Sequence, residues 1–227
     1  MSDIDKAQET VEQTLDYTAT EVKDLDYTII GSGSTGNAVR IGTIMIDCGM
    51  PFNAMRDELY KCNTLLITHV HTDHIKDSTF RKILSEFPRI KTFSNPTVAY
   101  KYHINEVISS TPFLTPSGIE ITPYIGSHDT EVSYFSWALD GQEILYATDT
   151  CIVENPNGIK YDWLFLESNY DEQKLNAMAK QYANRHYDPW VSSHRHLSTQ
   201  QSKAFYYTNR RGPESHWVEL HKSGRFY

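Results

Sequence analysis

Thr68-His69-Val70-His71-Thr72-Asp73-His74 places four potential metal ligands, three imidazoles and a carboxylate, within six consecutive residues. Neutral imidazole with carboxylate suits zinc, manganese or iron. His69 and His71 are two apart and can project to one side of extended chain. Asp73 and His74 lie past the bend and can face a second ion. One ion rarely takes four side chains from so short a segment. Two ions are the easier geometry, and their remaining ligands must then come from elsewhere in the chain. The bland alternative is a solvated polar loop, but three histidines and an aspartate at this spacing are far more specific than that.

Three further segments are placed to complete such a centre. His128-Asp129 follows an apolar stretch ending Tyr124-Ile125, Asp149 follows Ile144-Leu145-Tyr146-Ala147, and His196 follows Trp190-Val191-Ser192-Ser193. Each sits where a strand should end, and strand ends are where distant ligands converge. Taken singly, each reads as a polar loop residue. One aspartate between two ions, with three further side chains on each, gives two nearly balanced sites. Asp47, at the end of Thr43-Ile44-Met45-Ile46, is placed to orient a ligand histidine by hydrogen bond. Its plain alternative is a turn residue.

The elements that must position these residues are legible from pattern. Thr64 to Ile67 reads as a short buried strand that ends in the ligand-bearing loop. Leu25 to Ile30 reads as a strand running into Gly31-Ser32-Gly33-Ser34-Thr35-Gly36-Asn37. The three glycines match a dinucleotide-type phosphate loop, but Ala38 to Ile41 and Thr43 to Ile46 read as a hairpin around Gly42. A dinucleotide site needs a helix there, so that reading is set aside. Helices are expected over Phe52–Tyr60, Asp77–Phe87, Pro96–Ile104, Glu172–Tyr182 and Ser198–Tyr207, the last with Ser198 as N-cap. Further strands are expected over Lys91–Phe93, Ile119–Ile125, Ser133–Leu139, Glu143–Ala147, Trp163–Leu166, Trp190–Ser193 and Trp217–Leu220, with Asp140-Gly141 as a hairpin turn. Many strands with helices between and around them suggest a layered α/β sandwich.

The 227 residues suffice for one domain, expected over 25–227, with an acidic extension over 1–24. In that extension Ile4, Ala7, Val11 and Leu15 form a rough helical stripe; an amphipathic helix and a mobile tail are the two readings. No apolar run is long enough to cross a bilayer, and the acidic Met1-Ser2-Asp3-Ile4-Asp5 is no secretory signal. Cys48, Cys62 and Cys151 are three, widely spaced and without a CxxC pair, which points to reduced thiols in a cytoplasmic setting. The net charge of −8 is uneven: residues 1–26 hold eight acids and two lysines, while 184–227 hold seven Lys/Arg and three acids. The acidic total argues against broad non-specific nucleic-acid binding. The basic C-terminal stretch leaves room for one phosphate-holding face.

The chain resembles the metallo-β-lactamase fold superfamily of binuclear hydrolases. The resemblance rests on His69, His71, Asp73, His74, His128, Asp149 and His196 in that order, and covers roughly residues 26–223. More narrowly the chain is similar to the small WalJ/YycJ-type exonuclease branch of bacteria and phages, through Gly31–Asn37, Ile46-Asp47-Cys48-Gly49, His128-Asp129, Glu167-Ser168-Asn169-Tyr170-Asp171 and His196-Leu197-Ser198. It implies a four-layer αββα sandwich. It implies two divalent ions, zinc or manganese: the first on His69, His71 and His128, the second on Asp73, His74 and His196, with Asp149 shared and Asp47 in support. Two features depart from the branch. Arg195 stands where it usually has glycine, and Cys151 where it often does.

The implied activity is phosphodiester hydrolysis by a hydroxide bridging the two ions. Its substrate is DNA, in the manner of an exonuclease, or a nucleotide phosphodiester. Asp73, Asp149 and His194 are the candidate catalytic residues. Arg195, Asn169, His221, Lys222 and Ser223 are candidates for substrate contact, each with a surface role as its alternative. Tyr206, Tyr207, Phe226 and Tyr227 are available for base stacking, though aromatics so common are usually core. A cyclic-nucleotide phosphodiesterase acting on immune signals in the cytoplasm of a phage's host is the second reading. A thioester or lactone hydrolase is the third, and a zinc-stabilised binding module without turnover the fourth. A homodimer is the assembly considered.

Overall fold

A computed structural model describes residues 24–182 and 193–223, with backbone alone over 179–182. Residues 1–23 of the expected 1–24 extension, residues 190–192 of the strand expected over Trp190–Ser193, and Phe226 and Tyr227 lie outside the described residues. Alternation builds the layers. In β3 (Ile44–Ile46) and β4 (Thr64–Ile67) every residue is buried. Ile44, Ile46 and Leu66 join one core, while Met45, Leu65 and Ile67 join another on the opposite face. A strand buried on both faces has covers on both sides. The same split occurs in β10 (Gln142–Ala147) and β11 (Trp163–Glu167). There Ile144, Tyr146, Trp163 and Phe165 face the shared core, and Leu145, Ala147, Leu164 and Leu166 face a third cluster.

Two six-stranded sheets result. The first runs β1 (Tyr27–Gly31), β2 (Ala38–Ile41), β3, β4, β5 (Lys91–Ser94) and β6 (Glu106–Val107). The second runs β12 (His216–Leu220), β11, β10, β9 (Val132–Leu139), β8 (Glu120–Gly126) and β7 (Phe113–Leu114). Helices α1 (Phe52–Leu59), α2 (Asp77–Glu86) and α3 (Pro96–Tyr102) bury apolar residues in the outer cluster of the first sheet. On the second sheet Tyr206 and Phe205 of α5 (Thr199–Asn209) do the same, and α4 (Glu172–Tyr182) adds Leu175 to a small fourth cluster. The architecture is the layered α/β sandwich expected. No helix among the described residues is long and apolar enough to cross a membrane.

Each sheet joins antiparallel hairpins to a parallel set: β3-β4-β5-β6 in the first and β10-β11-β12 in the second. The carboxyl ends of β3, β4 and β5, and those of β8, β10, β11 and β12, therefore carry the candidate residues to one edge of the sandwich. Loops past such strand ends are where α/β sheets place ligands. Ser133 N donates to Thr68 O at 3.0 Å, and Asn95 Nδ2 bridges Thr68 O and Glu131 O, at 3.2 and 2.8 Å. These bonds lock the two sheets at that edge.

Element ends differ from the sequence reading for local reasons. α3 stops at Tyr102 because His103 turns left-handed at φ 57°. α5 begins at Thr199, with Ser198 and Gln201 forming a reciprocal capping box. Ser193, expected to end a strand, is helical. The two-residue edge strands β6 and β7 were not expected; neither is long enough to show a period.

Arg40 of β2 is a buried cation on the outer face of the first sheet. It donates to Asp26 Oδ1 at 2.6 Å and Oδ2 at 2.9 Å, to Gly42 O at 2.8 Å, and to Glu58 of α1. It thereby clamps the strand edge to the helix layer. Asp26 is largely exposed, so that pair is screened; Glu58 is mostly covered. Arg40→Ala should cost about 2–4 kcal/mol in urea unfolding, below the full penalty for breaking a buried pair.

Candidate metal centre

Asp47 stands first, at the end of β3, and is fully buried. Its Oδ1 accepts from Thr68 N at 2.8 Å, and its Oδ2 pairs with His74 Nδ1 at 2.7 Å. His74 Nδ1 is thus occupied, and Nε2 points onward, 2.8 Å from Asp149 Oδ2 and 3.7 Å from Asp73 Oδ2. Burial pushes the Asp47 carboxyl up, against the pull of His74 and Thr68.

Two clusters share this edge. His69, His71 and His128 bring one nitrogen each within 4.8 Å of one another. His69 Nε2 lies 3.0 Å from His71 Nδ1, and His128 Nδ1 donates to Arg195 O at 3.2 Å. On the other side Asp73, His74 and His221 meet the same criterion. Asp149 groups with His69 and His74, and also with Glu167, His196 and His221. It touches both halves, as a shared ligand should.

His221 is the main surprise of placement. Expected to touch substrate phosphate, it is 5% exposed. Its Nδ1 lies 3.0 Å from Glu167 Oε1 and 3.6 Å from Asp149 Oδ1, and its Nε2 lies 3.8 Å from Asp73 Oδ2. That Nε2 is buried without a hydrogen bond, and buried polar atoms are normally satisfied. A backbone φ of 51° turns the ring inward, while His221 N donates to Ser32 Oγ at 2.7 Å. His196 takes another place: its Nδ1 is 2.6 Å from Glu167 Oε1 and 3.4 Å from Asp149 Oδ1. Glu167, fully buried at the end of β11, orients both rings. Sequence reasoning gave it no role, because its strand is apolar throughout; the signal was a lone carboxylate closing that run.

The other substrate candidates are held by neighbours. Asn169 Nδ2 donates to His221 O at 2.9 Å, so it anchors the loop rather than only lining a cleft. Arg195 pairs with Asp129 at 2.5 Å and Lys222 with Glu219 at 3.0 Å. Ser223 N donates to Asn169 O at 2.8 Å, and His194 is exposed. Tyr206 is buried, and Arg210 covers the ring of exposed Tyr207 at 4.7 Å.

The glycine-rich loop is a buttress, not a phosphate cradle. Asn37 N donates to Asp73 O at 2.7 Å, and Gly49 N to Asn37 O at 2.9 Å. A Cβ at Gly49 would fall 1.7 Å from Asp73 O, so the backbone of the ligand loop occupies the space a side chain needs.

Charge is tightly balanced. Burial raises the Asp149 carboxyl, but His221 and His74 outweigh it and hold it well below the usual range. Burial likewise opposes His74, yet Asp149 and Asp47 lift it to about 10. His221 is raised well above a free imidazole by Asp149, Asp73 and Glu167, against burial. His69 and His128 go down, chiefly through burial, and neutral imidazole is the form that binds metal. The donor set fits two divalent cations: three imidazoles on one side, and on the other a carboxylate-rich group with a buried nitrogen that no described residue bonds.

Two outcomes follow from this arrangement. Gly49→Ala should destabilise by about 1–3 kcal/mol as an overpacked site, and titration calorimetry should show weakened metal uptake because Asp73 must move. In protein stripped of metal, raised His74 and His221 mean that the folded state binds more protons than the unfolded chain above a free imidazole's value of about 6.5. Their contribution is whole below that pH and is lost as pH rises through the folded values. Urea midpoints should therefore fall between about pH 6.5 and about 10, and His74→Gln should flatten that fall.

No protein-family model matches the chain. It is 26% identical over 176 residues to exodeoxyribonuclease YycJ of Bacillus anthracis, covering 66% of this chain and 65% of that protein. The match thus spans just under two thirds of the relative's length. Among solved structures it resembles the metallo-β-lactamase fold protein YhfI of Bacillus subtilis, with a TM-score of 0.65, 14% identity, and 88% and 87% of the two chains covered. It also resembles the short form of human tRNase Z, with a TM-score of 0.63, 17% identity, and 88% and 93% covered. The two packed sheets, the helices outside them and the ligand-type residues along one edge agree with these likenesses: the chain has the metallo-β-lactamase fold.

Proposed function

We propose that the chain is a two-metal hydrolase of phosphodiesters, with DNA as its substrate. The observation that carries this reading is two neighbouring ligand-type groups, His69–His71–His128 and Asp73–His74–His221, with Asp149 close to His69 of the first and to His74 and His221 of the second. The likeness to a protein named as an exodeoxyribonuclease supports the choice of DNA. His69, His71 and His128 would hold one cation. Asp73, His74 and His221 would hold the other, with Asp149 between. His221 replaces His196 in the ligand set because its ring groups with Asp73 and His74, whereas His196 does not. When bound, two such cations supply hydroxide at neutral pH and neutralise charge on the phosphoryl oxygens.

The chain's own residues supply the rest. Asp47 fixes His74 through Nδ1, leaving Nε2 for the cleft. Glu167 holds His196 Nδ1, and this pairing raises the imidazole's affinity for a proton against the effect of burial. A protonated imidazole beside the cluster is suited to hand its proton to the leaving oxygen. That role falls to His196 rather than to exposed His194. The free thiols Cys48, Cys62 and Cys151 fit work in a reducing compartment such as the cytoplasm.

A second reading, hydrolysis of a small nucleotide, is favoured by one observation. Two cations among the described residues that adjoin site histidines, Arg195 and Lys222, are paired with Asp129 and Glu219. These two side chains thereby offer little positive charge to a long polyanion.

Manganese- or zinc-loaded protein should turn over bis-(p-nitrophenyl) phosphate and shorten end-labelled linear DNA. Cyclic mononucleotides left intact would favour DNA, and the reverse pattern would favour the small nucleotide. His221→Ala should bind one metal equivalent fewer, with loss of both activities. His196→Ala should keep both equivalents and lose about 10²–10⁴-fold on DNA. It should lose far less on the nitrophenyl ester, whose leaving group needs no proton. Loss of a metal from His196→Ala but not from His221→Ala would return the ligand role to His196. Inactivity of wild-type protein holding two metals, on all these substrates, would end the phosphodiesterase reading.

A further inference from the structure

Arg195 makes two contacts that meet on the imidazole triad. Its main-chain oxygen accepts from His128 Nδ1 at 3.2 Å. Its guanidinium Nη1 donates to Asp129 Oδ2 at 2.5 Å. The other oxygen of Asp129, Oδ1, lies 3.4 Å from His71 Nε2 and 3.2 Å from His128 Nε2. The remaining nitrogen of His71, Nδ1, faces His69 Nε2 at 3.0 Å. His71 Nε2 therefore lies beside a carboxylate that Arg195 holds, and His128 Nδ1 is bonded to Arg195 itself.

A metal takes the unprotonated nitrogen of an imidazole, and the partner on the other nitrogen decides which one that is. An anionic carboxylate on His71 Nε2 favours the hydrogen there and leaves Nδ1 bare toward His69. A carbonyl on His128 Nδ1 favours the hydrogen there and leaves Nε2 bare. Asp129 Oδ1 then sits against a bare nitrogen of His128, two acceptors face to face, an arrangement that a cation on His128 relieves. Asp129 is 34% exposed at its side chain, so without a tether its carboxylate is free to rotate toward water. Arg195 is that tether. A glycine at this position would keep the carbonyl contact and lose the guanidinium.

We propose that Arg195 is a positioning residue for the first cation: through Asp129 it sets the ring of His71, and so raises the affinity of the triad alone. The proposal rests on reading His69, His71 and His128 as metal ligands. The backbone arm survives any substitution at Arg195, so side-chain variants isolate the carboxylate arm.

The test is titration calorimetry of zinc into the metal-stripped full chain, with thermal unfolding of the same stripped samples. Wild type should take two equivalents. Arg195→Ala should weaken one of them by about 10–100-fold, the range typical of losing an outer partner of a ligand. The other equivalent and the unfolding temperature of the stripped protein should not move. Arg195→Lys, which restores a cation beside Asp129, should recover most of the loss. Asp129→Asn should reproduce it, and the double variant should be no worse than Asp129→Asn alone, the mark of residues acting through one contact. Unchanged affinities in both single variants would overturn the proposal while leaving the metal reading intact. So would additive losses in the double variant, or failure of the lysine variant to recover. Wild-type protein that takes up no zinc would remove the metal reading and this one with it.

Discussion

The site depends on one buried carboxylate. Asp47 has no exposure, and taking a carboxylate out of water costs several kcal/mol unless it is fully bonded. It is bonded to Thr68 N, Thr68 Oγ1 and His74 Nδ1. These three partners are the first residue of the ligand loop, twice, and its last. The loop can satisfy Asp47 only by closing on itself, and closing brings His69 and His74 together, their rings 4.1 Å apart. The backbone at Asp47 is left-handed, φ 62°, an uncommon state for any residue but glycine. Cys48 N then reaches His74 O at 2.8 Å, and Lys76 N reaches Cys48 O at 3.2 Å. Gly49 follows with no room for a side chain. The end of β3 is thus a template on which the loop after β4 is pressed.

The same device recurs across the cleft. Asp149 after β10 and His221 after β12 are also left-handed, at φ 53° and 51°. Backbone strain of this kind costs of order 1–3 kcal/mol per residue and persists where the surroundings over-determine it. Here the surroundings are charges. Asp73, Asp149 and Glu167 crowd one side of the cluster, and the raised proton affinities of His74 and His221 answer them. A cation that displaces those protons keeps the balance and the geometry together, so metal uptake and proton release belong to one equilibrium. His221 also ties the residue after β12 to the loop after β1, because its amide donates to Ser32 Oγ.

Most elements were legible because their patterns were long or punctuated. Thr64–Ile67 and Glu172–Tyr182 fall where the pattern put them. The Asp140-Gly141 turn adopts positive φ at both residues, as a tight hairpin of this type demands. The Gly31–Asn37 loop resembled a phosphate cradle by composition alone; the strand that follows it decided otherwise, and the loop's bonds go to Asp73 and Gly49. What sequence could not show was pairing across space. Arg195 looked like a free cation because Asp129 lies 66 positions away.

The placing of the last histidine shows where linear reasoning fails and what could replace it. In sequence, His196 has the better credentials, flanked by a histidine and an arginine and leading into a capped helix. His221 follows the final strand beside Lys222 and Ser223 and reads as a substrate contact, with a surface role as its alternative. Topology ranks them the other way. Parallel neighbours end at the same edge, so residues just past β10, β11 and β12 must arrive together. Asp149 lies two positions beyond β10, Glu167 is the last of β11, and His221 is the first beyond β12. In the other sheet Asp47 and Thr68 are the first residues beyond β3 and β4. A strand-end rule finds all five, and it needs only the order of strands and their directions. His196 is delivered differently, by a loop that enters α5, and its ring reaches the cluster through Glu167. That difference in delivery is a physical reason to expect different work from the two rings: one held rigidly by the sheet as a ligand, the other on a loop, as suits a group that must give up a proton.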